Sequence, residues 1–390
     1  MKRRHLLGLL AAGLSVPLAP LQLAQAAQRS GRRLILVELS GANDGLNTIV
    51  PIRNDRYRAI RPTVALDASD VLNLSGDMAL NSRMRSLMSA WNSGDMAVVQ
   101  GLGYPDQNRS HFKSIALWET GGDGRQAGRN GWLTEDIEAM DRQVDAHGIS
   151  LDGGMGVFAS SSGLWISLTS LRQLKTLQDY QLETSTNSTQ ANPALALLMD
   201  RANTLNSSMS RISDKIATQS VSVSSNLQFG GGDLGKQAAL AARLIAADVH
   251  APVLKLKISG FDTHEYQQGE HGRLLSNLAD ALTDLRSALI RSGHWESTLV
   301  MTYSEFGRRA TENRSSGTDH GTAAPHFLLG GSIRGGLFGN DPDLENLDDG
   351  DLRFSLDYRS LYDFILARWF GLPSNRFSNY AEDWLYGLAT

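Results

Sequence analysis

The chain has 390 residues, with 37 Lys and Arg, 41 Asp and Glu, 9 His and no Cys. This length allows one large α/β domain or two to three smaller domains, and an apolar fraction of 41% is ordinary for a globular protein. The lack of thiols excludes disulfides, thiolate metal sites, cysteine-ligated iron–sulfur clusters, cysteine nucleophiles and a lipid anchor on an N-terminal cysteine. The net charge of −4 provides no basic field, so we expect no nucleic-acid partner.

Residues 1–26 have the pattern of an export signal. Three basic residues at positions 2–4 precede an apolar stretch, and Ala24-Gln-Ala26 is a small-residue cleavage signal. The paired arginines favour twin-arginine export, although an ordinary secretory signal can carry two arginines by chance. Pro17 and Pro20 disfavour a membrane-spanning helix. We therefore predict the twin-arginine export machinery as a partner, a periplasmic or secreted mature protein, and no stable membrane anchor.

Apolar runs with helical patterns between them predict one α/β domain over residues 27–390. The runs predicted as buried strands are 34–40, 96–102, 253–258, 298–303 and 325–330. The run at 253–258 alternates apolar and basic residues, which favours a position nearer an edge. The clearest helical pattern is a leucine repeat at 274, 278, 282, 285 and 289, and others cover about 234–249 and 357–370. This alternation predicts a mostly parallel central sheet with helices on both faces.

Residues 184–232 interrupt the alternation. The segment is rich in Ser, Thr, Asn and Gln, ends in Gly230-Gly-Gly232, and contains a helical pattern at about 194–216. We predict a helical insertion that acts as a lid on flexible connections.

Polar side chains follow the predicted strands, at the edge where open α/β sheets bind ligands. These candidates are Asp44; Arg109, Ser110 and His111; Asp262 and His264; Glu305 and Arg308; and Asp319 and His320. Carboxylates and imidazoles without thiols suit a divalent metal ion: zinc, manganese, magnesium or calcium.

Three of these candidates, and three further histidines, have a purely structural interpretation. Turn formation, helix capping and salt bridges place the same residue types at loops. The alternatives are a turn residue for Asp44, an N-cap for Ser110, a salt bridge to Arg308 or Arg309 for Glu305, solvated helix-end residues for His271 and His294, and a core histidine for His326.

The order of the motifs is more specific than any single residue. The chain resembles the uncharacterised exported family called domain of unknown function 1501, within the alkaline phosphatase and sulfatase superfamily, over about 33–372. The motifs that carry the resemblance are Gly41–Asn47, Gly103–Pro105 with Asn108–Phe112, Gly260–His264, Ser304–Arg308 and Gly317–Gly321. The resemblance implies an alkaline phosphatase-like fold.

The resemblance also implies roles for individual residues. Ser110 matches the position of the nucleophile. The positions that match metal ligands are Asp44, Asp262, His264, Glu305 and His320, with Asp319 assisting. The superfamily has an Asp-His pair where this chain has Glu305-Phe306, so one ligand is conservatively changed and one is lost; His111 is a candidate replacement. The Pro and Arg that a formylglycine motif requires after Ser110 are absent, which disfavours a formylglycine sulfatase.

Two functions remain open from the sequence. The first is a metal-dependent hydrolase of a phosphate or sulfate ester, with Ser110 or a water activated by metal and with Arg109 and Arg308 clamping the ester oxygens. The alternative is a non-catalytic binding or envelope-associated protein on a degenerate hydrolase fold, which holds an anionic small molecule or glycan. A redox enzyme is disfavoured, because no Cys and no G-x-G-x-x-G after the first strand are present.

Overall fold

The computed structural model describes residues 31–140, 143–178, 193–219, 228–373 and 376–390. The predicted export signal and the polar ends of the predicted insertion at 184–192 and 220–227 lie outside the described residues. Within the described part of the chain, no helix has both the length and the hydropathy needed to cross a membrane.

The described residues form a nine-stranded mixed sheet and a three-stranded antiparallel sheet. The large sheet has the order β11-β5-β10-β9-β1-β8-β6-β7, with β12 also paired to β5. Strand β10 is antiparallel to β5 and β9, and the remaining pairs are parallel. The strands are β1 Arg33–Ser40, β2 Ile49–Pro51, β3 Val71–Ser75, β4 Met78–Asn81, β5 Met96–Gly103, β6 Gly148–Ser150, β7 Trp165–Ser167, β8 Val253–Ser259, β9 Thr298–Tyr303, β10 Ala324–Leu329, β11 Gly336–Phe338 and β12 Leu356–Asp357.

Ten α-helices accompany the strands in the described residues, and the ninth continues as a π-helix over Phe364–Phe370. The helices are α1 Asp55–Ile60, α2 Met88–Ser93, α3 His111–Thr120, α4 Thr134–Met140, α5 Leu171–Gln178, α6 Pro193–Gln219, α7 Gly232–Ala246, α8 Gln267–Arg291, α9 Arg359–Asp363 and α10 Asp383–Tyr386. The prediction of a mostly parallel α/β fold is confirmed.

Two apolar cores lie on opposite faces of the large sheet. Alternate residues of β1 point to opposite faces because a strand has a side-chain period of two. Ile35 and Val37 lie in one core with Leu278 of α8, whereas Leu34 and Leu36 lie in the other with Trp118 of α3. The predicted placement of helices on both faces is therefore confirmed.

The predicted edge position of the third run is wrong, because β8 lies inside the sheet between β1 and β6. Lys255 of β8 is 1% exposed, and its Nζ lies 2.8 Å from Glu38 Oε2 and 2.8 Å from Asp152 Oδ2. Two buried carboxylates neutralise the charge that made the run look like an edge strand. A buried ammonium is tolerated when its charge is paired and hydrogen-bonded.

The described part of the predicted insertion is a packed helix, α6. Its Met209 and Ile212 are fully buried in the same core as the leucines of α8. Lys215 Nζ donates to Asp145 Oδ2 at 2.6 Å and to the Asp248 carbonyl at 2.9 Å. Asp145 and Asp248 precede β6 and β8, so this part of α6 lies beside the amino ends of the strands. These contacts do not place α6 over the opposite edge, where the candidate residues lie.

Candidate metal centre and active site

The candidate residues converge at the carboxyl ends of β1, β8 and β9. These strands are parallel neighbours, and Ser40 at the end of β1 is in register with Ser259 at the end of β8. The loops after the three strands therefore leave the sheet at the same edge. The loop that carries His320 returns beside the end of β9 through an antiparallel bridge to Arg308.

Three imidazoles and one carboxylate form what we call the histidine cluster: His111, Asp262, His264 and His320. Asp262 Oδ1 lies 3.4 Å from His111 Nε2, 3.0 Å from His264 Nε2 and 3.1 Å from His320 Nε2. His320 Nε2 also lies 3.1 Å from His111 Nε2 and 3.0 Å from His264 Nε2. All four side chains are partly exposed, so the cluster is open to a ligand from solvent.

Each ring of the histidine cluster has an oxygen acceptor next to its Nδ1 atom. A ring whose Nδ1–H faces an acceptor presents the lone pair of its Nε2 on the other side, which is the arrangement that metal-binding histidines adopt. The pairs are His320 Nδ1 with the Arg109 carbonyl at 2.8 Å, His264 Nδ1 with Asp319 Oδ1 at 3.1 Å, and His111 Nδ1 with Glu305 Oε1 at 3.4 Å.

The histidine cluster fits a divalent metal ion. Single ligand atoms of His111, Asp262 and His320 all lie within 4.8 Å of one another. The Nε2 atoms of His111 and His264 each face the Nε2 atom of His320, and lone pairs at these distances repel unless a cation or a proton lies between them. Three imidazoles with one carboxylate are a donor set typical of zinc, and the donor types also suit manganese.

Arg308 holds Asp262 in place. This guanidinium is 1% exposed, and its Nη2 donates to Asp262 Oδ1 at 2.6 Å. It also donates to the carbonyls of Gly41, Ala42, Phe261 and Thr318, and its Nη1 lies 3.5 Å from His264 Nε2. Burial alone would raise the pKa of Asp262, but the hydrogen bond and charge of Arg308 outweigh burial and bring that pKa to about 2. The Asp262 carboxylate is therefore ionised at physiological pH.

Glu305 lies behind His111. Its carboxylate is 3% exposed and accepts hydrogen bonds from the backbone N–H groups of Gly41 and Ala42, each at 2.9 Å. Burial tends to raise the pKa of Glu305, but the His111 ring 3.4 Å away and the hydrogen bonds from these amides outweigh it and lower the pKa. The same contact raises the pKa of His111. These contacts place Glu305 where it orients a ring, while its predicted role as a ligand stays a prediction.

Asp319 occupies the equivalent position behind His264. Its carboxylate is exposed, and Oδ1 also accepts from Asn313 Nδ2 at 3.1 Å. That amide hydrogen bond lowers the pKa of Asp319. Asp319 and Glu305 thus lie on the Nδ1 side of two rings, away from the point where the Nε2 atoms meet.

Asp44 makes no hydrogen bond or ion pair with the four residues of the histidine cluster in the described structure. It is 1% exposed, and its Oδ2 accepts from Arg61 Nη1 at 2.7 Å and from Gln267 Nε2. Burial tends to raise the pKa of Asp44, but the paired Arg61 outweighs it and lowers the pKa. The charge of this predicted ligand is neutralised by a guanidinium that is itself fully buried.

His271 completes this second group, which we call the buried polar cluster: Asn43, Asp44, Arg61, Gln267 and His271. His271 is 2% exposed, and its Nε2 lies 2.9 Å from Asn43 Oδ1. The interpretation of His271 as a solvated helix-end residue is wrong. Burial lowers the pKa of His271 to about 4, so the ring is neutral at physiological pH.

Ser110 is the N-cap of α3, immediately before His111. In the described structure its hydroxyl makes no capping hydrogen bond, while its backbone N–H donates to Asn108 Oδ1 at 2.8 Å. Its neighbour Arg109 forms an ion pair with the buried Asp351. The hydroxyl is thus available at a helix N-terminus, whereas the guanidinium of Arg109 is already paired.

Sequence reasoning missed Arg61, Gln267 and Asn313, because their partners are distant in the chain. A signal for His271 was present: it lies three and seven residues before Leu274 and Leu278, on the stripe of α8 that faces the core.

Curated protein sequences gave no match. Similar solved structures include the lipoteichoic acid synthase LtaP from Listeria monocytogenes, at 10% identity and a TM-score of 0.39 over 91% of this chain and 76% of that chain. The C-terminal periplasmic domain of EcEptC from Escherichia coli is 8% identical, with a TM-score of 0.42 over 90% of this chain and 85% of that domain. The PsFucS1 sulfatase from Pseudoalteromonas sp. is 12% identical, with a TM-score of 0.43 over 96% of this chain and 75% of that chain.

A family match confirms the resemblance found in the motifs. The family described as protein of unknown function (DUF1501) matches residues 78–376, which include every motif of that resemblance except Gly41–Asn47. The match covers well over half of the 390 residues. The chain therefore belongs to the DUF1501 family.

Proposed function

We propose that this chain is an exported hydrolase of phosphate or sulfate esters that uses one divalent metal ion held by the histidine cluster. The observation that carries the proposal is the convergence of three Nε2 atoms on Asp262 Oδ1, with an oxygen acceptor behind each ring. Oxygen acceptors in this position, whether carboxylate or backbone carbonyl, orient histidines for metal binding.

The chain's own residues supply the other parts of the chemistry. Ser110, next to His111 in the chain, has a hydroxyl that makes no capping hydrogen bond, and it is the candidate nucleophile. The free N–H groups in the first turn of α3 stabilise negative charge on the ester. Arg308 keeps Asp262 ionised and fixed. A divalent ion bound at the cluster supplies positive charge to an ester oxygen and lowers the pKa of the Ser110 hydroxyl or of a water.

One observation favours a second candidate, a binding protein without turnover. Both guanidiniums that the sequence offers as ester clamps are engaged: Arg109 with Asp351, and Arg308 with Asp262 and four carbonyls. A protein of this kind holds an anionic small molecule or glycan at the metal ion and leaves it unchanged.

A hydrolysis screen separates the two candidates. We expect the purified, metal-loaded protein to hydrolyse a phosphate or a sulfate monoester. Ser110→Ala abolishes turnover and keeps the metal, because Ser110 is outside the cluster, whereas Asp262→Asn loses both. Ser89→Ala, an exposed serine on α2, is the matched control and keeps both. Binding of the esters with no turnover in the unaltered protein would favour the second candidate, and full activity of both site variants would exclude the first.

Export through the twin-arginine machinery is part of the proposal. It is supported by the two arginines at positions 3 and 4 and by the Ala24-Gln-Ala26 signal. We expect the protein in the periplasmic or secreted fraction with its N-terminus near residue 27. Replacing both arginines by lysine retains the precursor in the cytoplasm, and unchanged export of that variant would favour the ordinary secretory route.

A further inference from the structure

The two most exposed large hydrophobic side chains among the described residues lie beside the histidine cluster. Phe112 is 89% exposed and Tyr266 is 81% exposed. Phe112 directly follows His111, and Tyr266 is two residues after His264. The rings of His111 and His264 both approach Asp262 Oδ1, so the two aromatic residues belong to two chain segments that meet at this carboxylate.

The backbone at Tyr266 is costly for a tyrosine. Tyr266 has φ 45° and ψ 42°, in the left-handed region that disfavours large side chains. Two hydrogen bonds hold it there, from Tyr266 N to the Ser315 carbonyl at 3.0 Å and from Gln267 N to the Ser316 carbonyl at 2.9 Å. Glycine adopts this conformation without strain. An exposed aromatic ring at such a position points to a role for the ring itself.

We propose that Phe112 and Tyr266 form a ring-stacking pair at the mouth of the histidine cluster, and that the substrate is an ester of a carbohydrate. This inference rests on the proposed ester hydrolysis and names its substrate class. Aromatic faces bind groups that have an apolar face and a polar edge, which describes a sugar ring.

The surroundings of the two rings favour a sugar over an acyl chain. An acyl chain requires a continuous apolar patch. Here each ring is flanked by exposed polar side chains instead, Lys113 beside Phe112, and Glu265 and Gln268 around Tyr266. Lys113, Glu265 and the Oε1 atom of Gln268 supply hydrogen-bonding partners for the hydroxyl groups of a sugar, whereas Gln268 Nε2 already donates to the Thr63 carbonyl.

The test compares esters with and without a ring. Glucose 6-phosphate and glucose 6-sulfate carry a ring, whereas glycerol 3-phosphate and methyl sulfate do not. We expect Phe112→Ala and Tyr266→Gly each to lower kcat/KM for the glucose esters by about 3- to 10-fold, mainly through KM, and to leave the ringless esters unchanged. Metal content stays the same in both variants. Tyr266→Gly melts no lower than the unaltered protein, because the glycine relieves strain.

Leu198→Ala is the matched control, because Leu198 is 67% exposed on α6 and far along the chain from the cluster. An equal loss on ringless esters, or unchanged kinetics on the glucose esters, would overturn the proposal. Binding of phosphatidylglycerol vesicles that is lost in Phe112→Ala, or a dimer that dissociates in that variant, would also overturn it.

Binding distinguishes failure of this inference from failure of the hydrolase proposal. If the unaltered protein hydrolyses none of these esters, electrophoresis through a gel containing dextran sulfate replaces the kinetic comparison. Retardation that is weakened in Phe112→Ala and Tyr266→Gly supports the stacking pair without any turnover. Equal migration of the unaltered protein and both variants overturns it.

Discussion

Two clusters that each contain an aspartate and at least one histidine lie at one edge of the sheet and differ in burial and in charge pairing. In the buried polar cluster, Asp44 is 1% exposed and its charge is met by Arg61, which is fully buried. In the histidine cluster, the side chains of Asp262 and His264 are 47% and 40% exposed, and imidazole lone pairs meet at one point. In the buried polar cluster, the positive charge that balances the carboxylate comes from Arg61. The histidine cluster instead has donor atoms that could hold a metal ion.

Residue type and position at a strand end therefore do not identify a metal ligand. Asp44 and Asp262 both follow parallel strands and both have a lowered pKa. The two carboxylates differ in solvent exposure and in their partners, because Asp44 is buried against Arg61 whereas Asp262 is partly exposed among imidazoles. The comparison predicts that changes in the buried polar cluster affect folding stability, and changes in the histidine cluster affect metal affinity.

Removal of Arg61 is expected to have the largest effect. Arg61→Met leaves Asp44 buried without its cation, and we expect a loss of about 3–5 kcal/mol in the free energy of unfolding, measured with urea. The matched control is Arg53→Met, because Arg53 and Asp77 form an exposed pair at 3.5 Å that contributes at most about 1 kcal/mol. Equal losses in the two variants would contradict the assignment of Asp44 to a structural ion pair.

The pH dependence of the unfolding free energy tests the buried polar cluster, because His271 is buried in it. Its folded pKa is about 4, against about 6.5 in an unfolded chain. The unfolded state binds more protons between these values, so stability falls as pH drops from 6.5 to 4, by about 3 kcal/mol when complete. We expect His271→Gln to flatten the dependence of the unfolding free energy on pH.

A part of that slope remains in the variant. Burial also lowers the pKa of His326, to about 3. Protonation of this second ring therefore still lowers the free energy of unfolding of the variant in acid. The same pH dependence in His271→Gln and in the unaltered protein would show that His271 is not the group that titrates.

Removal of His264 tests the histidine cluster with little effect on folding. We expect His264→Ala to weaken zinc binding by at least about 100-fold, because a metal ligand contributes more than the residues that orient it. The free energy of unfolding of the metal-free protein changes by no more than about 0.5 kcal/mol. His294→Ala is the control, since His294 pairs only weakly with Asp248, at 3.9 Å, and lies outside the cluster. Unaltered zinc affinity in His264→Ala would remove His264 from the ligand set.

The smallest effect is expected at Asp319. This carboxylate orients His264 from the Nδ1 side, so Asp319→Ala weakens zinc binding by about 10-fold. Competition with a zinc chelator measures both variants on one scale. A loss as large as that of His264→Ala would show that Asp319 binds the metal directly.

The fold was predictable where local pattern and burial agree. Apolar runs marked β1, β5, β8, β9 and β10, and the leucine repeat marked α8, because strands and helices bury side chains with different periods. The position of β8 was missed because Lys255 is neutralised by Glu38 and Asp152, more than a hundred residues away in the chain.

The candidate site was predictable as a set of residues and not as a set of contacts. Motif order indicated Asp262, His264 and His320, and the structure brings them together with His111. Motif order also indicated Asp44, whose partner Arg61 directly follows α1, a helix that packs against Leu46, Val50 and Ala310. That packing depends on tertiary contacts, which no spacing in the sequence encodes.

Metal stoichiometry is the most direct test of one ion at the histidine cluster. Elemental mass spectrometry of the purified mature protein, with folding checked by circular dichroism, is compared with Asp262→Asn and Asp44→Asn. We expect one equivalent of a divalent metal in the unaltered protein, none in Asp262→Asn and one in folded Asp44→Asn. Two equivalents in the unaltered protein, or loss of metal in Asp44→Asn and not in Asp262→Asn, would contradict this account.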